Sequence, residues 1–223
     1  MGKPFYIVLL LLTVAACGGQ GRHEAALRHA QSVLNERPDS ALAILDSLGQ
    51  YRAGFTRSAL MRWQLLRLSA QNKAYIPFTS DSLMKEVVAY YERHGTSTDR
   101  MSAYYLMGSV YRDLGEIPAS LQSFLKAIAS ADTTSRDCDF RQLAKVFVQM
   151  GDLFNDQYLP SEAIGCFRKG ARFALLAHDS LLALNIQEQS LISYFELGDY
   201  DAVIRHSEHI YGQLMMSSPG TQR

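Results

Sequence analysis

The stretch YYLMGSVYRDLGEIPASLQSFLKAI, Tyr104–Ile128, sets small residues at fixed distances from aromatic ones. Gly108 and Ser120 are small, Phe124 is large, and Gly115 interrupts the apolar pattern between them. Apolar residues recur at helical spacing on both sides of Gly115, which predicts two amphipathic helices joined by a turn. The stretch therefore predicts a helical hairpin.

A second stretch, FVQMGDLFNDQYLPSEAIGCFRKGA at Phe147–Ala171, repeats this arrangement. Gly151 lies 43 positions beyond Gly108, and the other equivalent residues follow at the same interval: Tyr158, Ala163, Phe167 and Gly170. A third, degenerate copy keeps Tyr194, Gly198, Val203 and Ile210 in register. Helix periodicity alone does not require this match, so the chain is predicted to contain internal repeats.

Helical spacing of apolar residues extends over nearly all of the chain after Arg22, and no stretch alternates like a β-strand. Prolines and glycines separate the periodic segments, which predicts an all-α fold with short connections. Asp39, Ser80, Asp99 and Ser180 stand ahead of apolar runs and are the predicted N-caps. Ten helices are predicted, at residues 23–35, 39–49, 55–73, 80–94, 99–114, 117–131, 137–156, 160–177, 180–197 and 200–214.

These residues resemble the tetratricopeptide repeat (TPR), whose signature is an aromatic residue, a Leu-Gly pair, a tyrosine, and then small, aromatic and small residues. The resemblance implies a solenoid of about five helical hairpins, in which Gly108 lets helices approach closely and aromatic residues fill the groove to the next hairpin. The interval of 43 residues exceeds the standard repeat of about 34, so longer helices or loops are predicted. An unrelated helical bundle with coincidental glycines is the alternative. The predicted layout is 23–98 for degenerate TPR-like hairpins, 99–214 for TPR units and 215–223 for a polar tail.

The first residues, MGKPFYIVLLLLTVAAC, combine one early lysine, an apolar run, and small residues before Cys17. The run is shorter than the roughly 20 residues that a membrane-spanning helix needs, so residues 1–16 are predicted to be a removed export signal. The order Val14, Ala15, Ala16, Cys17, Gly18 resembles a bacterial lipobox, which implies lipidation of Cys17 and a short tether at residues 17–22. An ordinary signal peptide ending in cysteine is the alternative.

The lipobox and the long repeats, with NERPDSALAILDSL and YYERHG, resemble lipid-anchored TPR lipoproteins of Bacteroidota type, and the resemblance implies a place in the cell envelope. Gly18 stands where an aspartate would favour inner-membrane retention in many diderm bacteria. The prediction is therefore an outer-membrane lipoprotein that faces the periplasm.

Charge and cysteine content limit which partners and which disulfide bonds are expected. The sequence has 22 Lys and Arg and 22 Asp and Glu residues, which gives no electrostatic reason to expect nucleic acid as a partner. Cys138 and Cys166 are placed on opposite arms of one predicted hairpin, and a disulfide needs Cα atoms within about 7 Å. Both are therefore predicted to be packed thiols.

No group of reactive residues in the sequence indicates an enzyme, a metal site or a cofactor. His206 and His209 stand near Glu208 but have no third ligand nearby, so a solvated face is predicted. HDS, at His178–Ser180, is interpreted as a turn followed by a helix cap, because adjacency in sequence is not triad geometry. Glycines occur singly, without a phosphate-binding loop. Trp63 is predicted to pack in the core, with a ligand platform as the alternative.

The resemblance to TPR proteins implies a binding groove along the wall formed by the first helix of each pair. Mixed aromatic, acidic and apolar groups on that wall suit a protein segment or a peptide. The predicted partner-binding residues are Tyr105, Ser109, Arg112, Val148, Asp152, Asn155, Glu188, Ile192 and Phe195.

The leading hypothesis is a non-enzymatic scaffold, anchored by lipidated Cys17, that holds a protein or peptide partner of the envelope. A glycan-binding lipoprotein of SusD-like type is an alternative, because those proteins also build on TPR units. A truncated sensory domain of a membrane-bound transcriptional regulator is a third, since longer proteins of the Bacteroidota group continue into a transmembrane helix and sometimes a DNA-binding module.

Overall fold

The computed structural model describes residues 23–217, with side chains for residues 23–215. This part of the chain contains ten α-helices, one 3₁₀ helix and no β-strand, which confirms the all-α prediction. The helices are α1 (23–33), α2 (Pro38–Leu48), α3 (Arg57–Lys73), α4 (Ser82–His94), α5 (Ser97–Asp113), α6 (Ile117–Ser130), α7 (Phe140–Asp156), α8 (Pro160–Leu176), α9 (Ser180–Glu196) and α10 (Tyr200–Ser217).

All ten predicted helices are present, with bounds shifted by no more than three residues. The 3₁₀ helix Gly49–Gly54, between α2 and α3, was not predicted. The predicted signal segment, Cys17 and the tether lie outside the described residues, as do the last six residues of the predicted tail. Within the described part, no helix combines the length and the apolar character needed to cross a membrane.

Ser80 lies one residue before Asp81, the residue that precedes α4, and the other three predicted N-caps lie one to three residues too late. Thr96 caps α5 through a capping box, in which Asp99 is the third helical residue and its carboxylate accepts from the Thr96 backbone. Asp179 caps α9, because its carboxylate accepts from the Leu182 amide at 3.0 Å. Asp39 lies in the first turn of α2, after Pro38. In these three cases the cap lies before the first helical residue, and the predicted residue already has helical geometry.

Among the described helices, five are followed by a residue with positive φ, the left-handed conformation that closes many helix C-termini. Gly115 and Gly198 follow α5 and α9 with φ of 77° and 78°. Tyr75, Tyr158 and His178 follow α3, α7 and α8 with φ between 55° and 56°. Tyr158 therefore takes the conformation that Gly115 takes one repeat earlier, although it carries a side chain.

The chain divides into two compact units, the first ending at Tyr90 and the second beginning at Tyr91. Trp63 lies at the centre of the first unit, where it is 9% exposed and its Nε1 donates to the Leu45 carbonyl oxygen at 2.8 Å. It belongs to a core cluster formed by Leu27, Ala30, Ala41, Leu45, Leu48, Trp63, Leu66 and Ala70. The core assignment of Trp63 is confirmed.

The second unit contains three hairpins, α5 with α6, α7 with α8, and α9 with α10, and α6 and α8 also pack against the following helices. A Cβ atom added at Gly108 would lie 2.4 Å from Cε1 of Phe124, and one added at Gly151 would lie 2.8 Å from Cε1 of Phe167. Small residues therefore allow close helix approach, as predicted. The aromatic rings, however, sit on the glycine of their own hairpin, and Phe167 in addition joins a core cluster that α9 completes.

Both cysteines in the described part of the chain are free thiols. Cys166 is buried in α8, whereas Cys138 is half-buried in the connection before α7. The placement of Cys138 on a helix was wrong, because α7 begins only at Phe140, after the capping residue Asp139. Burial raises the pKa of both thiols, which disfavours the reactive thiolate.

Candidate functional site

Polar side chains join the first helices of the three hairpins in the second unit. On α5, Nη1 of Arg112 donates to Oε1 of Gln149 on α7, and Nη2 pairs with Oδ1 of Asp113 at 2.7 Å. Nε2 of Gln149 lies 3.5 Å from Oδ2 of Asp152, at the long limit of a hydrogen bond. On the same helix, Oδ1 of Asn155 accepts from Oγ of Ser193 on α9 at 2.8 Å. We call Arg112, Gln149, Asp152, Asn155 and Ser193 the polar ladder.

The two cross-helix contacts of the polar ladder span nearly one repeat each. Arg112 and Gln149 are 37 residues apart, and Asn155 and Ser193 are 38 apart. Ser193 is fully buried, so its hydroxyl depends on Asn155 for a polar partner across the helices. The ladder therefore connects α5 to α7 and α7 to α9 on the side of the first helices.

Asp152 carries the one carboxyl group of the polar ladder, and the pKa of that group is raised. Burial, followed by the charge of Asp156, raises the pKa of Asp152 from 3.8 to about 6, and the Arg112 guanidinium opposes this shift. Desolvation disfavours the ionised form, and a nearby like charge adds to the effect. A cationic group of a partner placed beside Asp152 would find a carboxylate that is poorly compensated within the chain.

An exposed apolar stripe lies on α9, the helix that also carries Ser193 of the polar ladder. Ile192 is 52% exposed and Phe195 is 57% exposed. The Phe195 ring meets the Tyr200 ring edge to face, with centroids 5.5 Å apart. Glu188, one turn earlier on α9, is also exposed. Aromatic and aliphatic groups beside partly buried polar groups form the kind of surface that protein partners cover.

The remaining predicted groove residues are more enclosed. Ser109 is fully buried, and its Oγ donates to the Tyr105 carbonyl oxygen at 3.2 Å, so its assignment to a surface that a partner can reach is corrected. Tyr105 is half-buried, with its ring centroid 6.0 Å from that of Phe124. Val148 packs against the core cluster around Phe167. The accessible part of the predicted groove therefore lies mainly on α9.

Gln149 and Ser193 were not among the predicted site residues. Each stands about one repeat beyond a residue that was predicted, Arg112 and Asn155 respectively. The repeat interval was therefore a usable signal, but it does not say which side chain at that interval turns toward the neighbouring helix.

The motifs considered for catalysis have structural roles. His178 occupies the left-handed position after α8, and Asp179 caps α9 while its Oδ2 pairs with Arg141 at 2.6 Å. The His206 ring stacks on Tyr194 with centroids 5.0 Å apart. Among the described residues, no cluster of three or more His, Cys, Asp or Glu side chains is placed to hold a metal ion.

Neither the models of known protein families nor the curated proteins match this sequence. Solved structures do match. The nearly identical TPR-like repeats of a protein described as a kinesin light chain, from Podosopora anserina, superpose with a TM-score of 0.63 at 15% identity, over 90% of this chain and 97% of that one. A second structure of those repeats, carrying one substitution, gives 0.61 at 16% identity, over 86% of this chain and 92% of that one. BtubC (BKLC) from P. vanneervenii gives 0.57 at 11% identity, over 91% of this chain and 75% of that one.

These similarities define the fold class. The chain has an all-α, TPR-like solenoid fold, as its repeats predicted. At such low identity the likeness concerns the fold, and the function must be argued from the chain's own surface.

Proposed function

We propose that this protein is a non-enzymatic scaffold, which holds a protein or peptide partner on the first-helix side of its second unit. TPR-like solenoids are extended arrays whose inner helices offer long surfaces for other chains. The observation that carries the proposal is the exposed stripe of Ile192 and Phe195 on α9, a helix that the polar ladder joins to α7.

The polar ladder supports this role because it holds the neighbouring helices at a fixed distance. Asn155 and Ser193 join α7 to α9, so the stripe on α9 is presented from a preorganised base. Preorganised surfaces bind more tightly because less conformational entropy is lost on association.

The proposed location is the cell envelope, through lipidation of Cys17. The sequence around Cys17 supports it, since small residues precede the cysteine and an apolar run precedes them. A cysteine with several acyl chains is held almost permanently at a membrane. Confinement there would raise the effective concentration of any partner in the same membrane, so weak contacts suffice.

The glycan-binding alternative depended mainly on Trp63 as a platform for a sugar ring. Trp63, the only tryptophan in the sequence, lies in the core of the first unit and donates its N–H to a backbone carbonyl. A buried indole offers no open face on which a sugar ring could stack.

Site-specific photo-crosslinking in intact cells tests the proposal. A photoreactive amino acid replaces Ile192 in one strain and Leu125 in another, since these side chains are similarly exposed, at 52% and 56%, and Leu125 lies on the second helix α6. We expect a reproducible adduct with an envelope protein from position 192 and none from position 125. Equal adducts from both positions, or none from position 192, would contradict the proposed surface.

A further inference from the structure

A cavity of about 420 Å³ lies between α8, α9 and α10, on a different side of α9 from the exposed stripe. Its lining includes Gln187, Ser190 and Tyr194 of α9, whereas the exposed stripe uses Glu188, Ile192 and Phe195. Both sets recur at helical spacing, so they are neighbouring but separate faces of one helix. Cavities of this volume are within the range that binds small molecules and short peptide segments.

Apart from Tyr194, the ionisable side chains that line the cavity in the described part of the chain are all basic. Arg168 and Arg172 stand four residues apart on α8 and therefore share a face, while His206 and His209 approach from α10. No aspartate or glutamate is among the side chains that line this cavity in the described part of the chain. The whole sequence, by contrast, has 22 basic and 22 acidic residues, so the cavity concentrates basic groups locally.

The two guanidinium groups are available to a ligand. Arg168 and Arg172 are exposed, and neither forms an ion pair with another described residue. Arg112 of the polar ladder, by contrast, is engaged with Asp113 and Gln149. Arginine presents a planar fork of donors that fits a carboxylate with two parallel hydrogen bonds.

Apolar side chains line the same cavity. Ile164 and Phe167 form part of its base, and Leu175, which is 54% exposed, stands at its rim on α8. A purely inorganic anion would leave this apolar surface in water. Burying it instead contributes about 25 cal/mol for each Å² removed from water. The lining therefore favours a ligand that carries both negative charge and a large apolar group.

The side chain of Gln187 favours a peptide over a simple amphiphile as the ligand of this cavity. Its side-chain amide lines the cavity and makes no hydrogen bond to another described residue. A primary amide donates and accepts, so it matches a backbone peptide group, which also has one donor and one acceptor. An acyl chain would leave that amide without a partner.

We propose that this cavity binds an acidic peptide segment in which carboxylates meet Arg168 and Arg172 and one large apolar side chain occupies the space above Ile164. The site is separate from the first-helix surface proposed above, so the chain would have two distinct protein-binding faces.

Fluorescence anisotropy of the full chain tests the site with a labelled pentapeptide, one phenylalanine between two pairs of glutamates. Wild type should bind it, and substitution of that phenylalanine by alanine or of the glutamates by lysines should weaken binding. In the variant Arg168→Glu with Arg172→Glu, affinity should fall by about tenfold or more, because both contacts become repulsive. Arg205→Glu, an exposed change on α10 outside the cavity lining, makes a control in which affinity should fall by less than about threefold.

A competition experiment and a variant of the exposed stripe on α9 complete the test. Octanoate, an acid with an apolar tail but no peptide group, should compete only weakly. Failure of the acidic peptide to bind wild type, an equal loss in Arg205→Glu, or binding of octanoate in place of the peptide would each overturn the proposal. Ile192→Ser should leave peptide binding unchanged, and Arg168→Glu with Arg172→Glu should leave the adduct from the photoreactive residue at position 192 unchanged, so the failure of one site is distinguishable from failure of the other.

Discussion

At the scale of single residues, the burial of Asp152 in the packed structure lowers the stability of the fold. Its carboxyl lies on α7 beside Gln149 and Asp156, where burial raises its pKa to about 6. A carboxyl whose folded pKa exceeds its unfolded value contributes stability that is fully present below the unfolded pKa and is lost as the pH rises through the folded pKa. The ionised Asp152 therefore destabilises the fold at neutral pH.

The variant Asp152→Asn should be more stable than wild type at high pH and equal to it at low pH. The gain should be about 1 kcal/mol at about pH 8, less than the full shift would give because the side chain retains some exposure, and should vanish below about pH 4. Urea unfolding at a series of pH values measures it. Asp156→Asn, which removes only the neighbouring charge, should gain less, and a constant difference at every pH would contradict the account.

Tyr158 is a residue whose backbone does not suit its side chain. It has φ of 56° and is 85% exposed, and it occupies the place that Gly115 fills one repeat earlier. The left-handed conformation costs an ordinary residue about 1–2 kcal/mol, and glycine adopts it freely.

The variant Tyr158→Gly should raise the free energy of unfolding by about 1 kcal/mol, after allowing for the greater flexibility of glycine in the unfolded chain. Thermal unfolding followed by circular dichroism measures the change. Tyr158→Ala is the control, since it removes the ring and keeps the Cβ atom. If alanine stabilises as much as glycine, the backbone explanation is wrong.

At the scale of elements, each of the first two hairpins of the second unit is fixed by a glycine on one helix and an aromatic ring on the next. Phe124 and Phe167 are almost fully buried, at 0% and 1% exposed, and each lies on the glycine of its partner helix. Ser120 adds a hydrogen bond of 2.8 Å to the Gly108 carbonyl oxygen. The Gly151–Phe167 contact also supports both proposed binding faces, because it sets the spacing of α7 and α8 and Phe167 packs in the core cluster that α9 completes.

The variant Gly108→Ala tests this packing. The added methyl group would lie 2.4 Å from the Phe124 ring, which is fully buried, so overpacking should exceed the gain in helix propensity and lower stability by about 2 kcal/mol. Gly165→Ala is the matched control on α8, where nothing lies within 4 Å of the added atom, and it should stabilise by about 0.5–1 kcal/mol. Denaturant unfolding compares the two, and a stabilising Gly108→Ala would refute the packing account.

At the scale of the whole molecule, the proposed function depends on the attachment of the folded chain to a membrane. The apolar run before Cys17 and the small residues beside it support lipidation. The proposed scaffold would act on partners within a short reach of that membrane, since the predicted tether of residues 18–22 is only a few residues long.

The variant Cys17→Ser should move the chain out of the membrane fraction, because a serine hydroxyl does not form the thioether that carries the acyl chains. Fractionation of cells, together with metabolic labelling by a palmitate analogue, measures both the location and the modification. Retention in the membrane without label would contradict lipid anchoring, while leaving the first-helix binding surface unaffected.

The sequence by itself determined the fold class, because small and aromatic residues at a shared interval fit only paired helices that approach closely. It also determined the helix positions, through periodicity and the punctuation by glycine and proline. The candidate site was predictable only in part: Arg112, Asp152 and Asn155 lie in the polar ladder and their role in binding stays a prediction, whereas Gln149 and Ser193 were not predicted and Ser109 proved buried. Those outcomes depend on how neighbouring helices turn against each other, and that rotation comes from contacts between residues far apart in the chain. Only the tertiary structure could decide it.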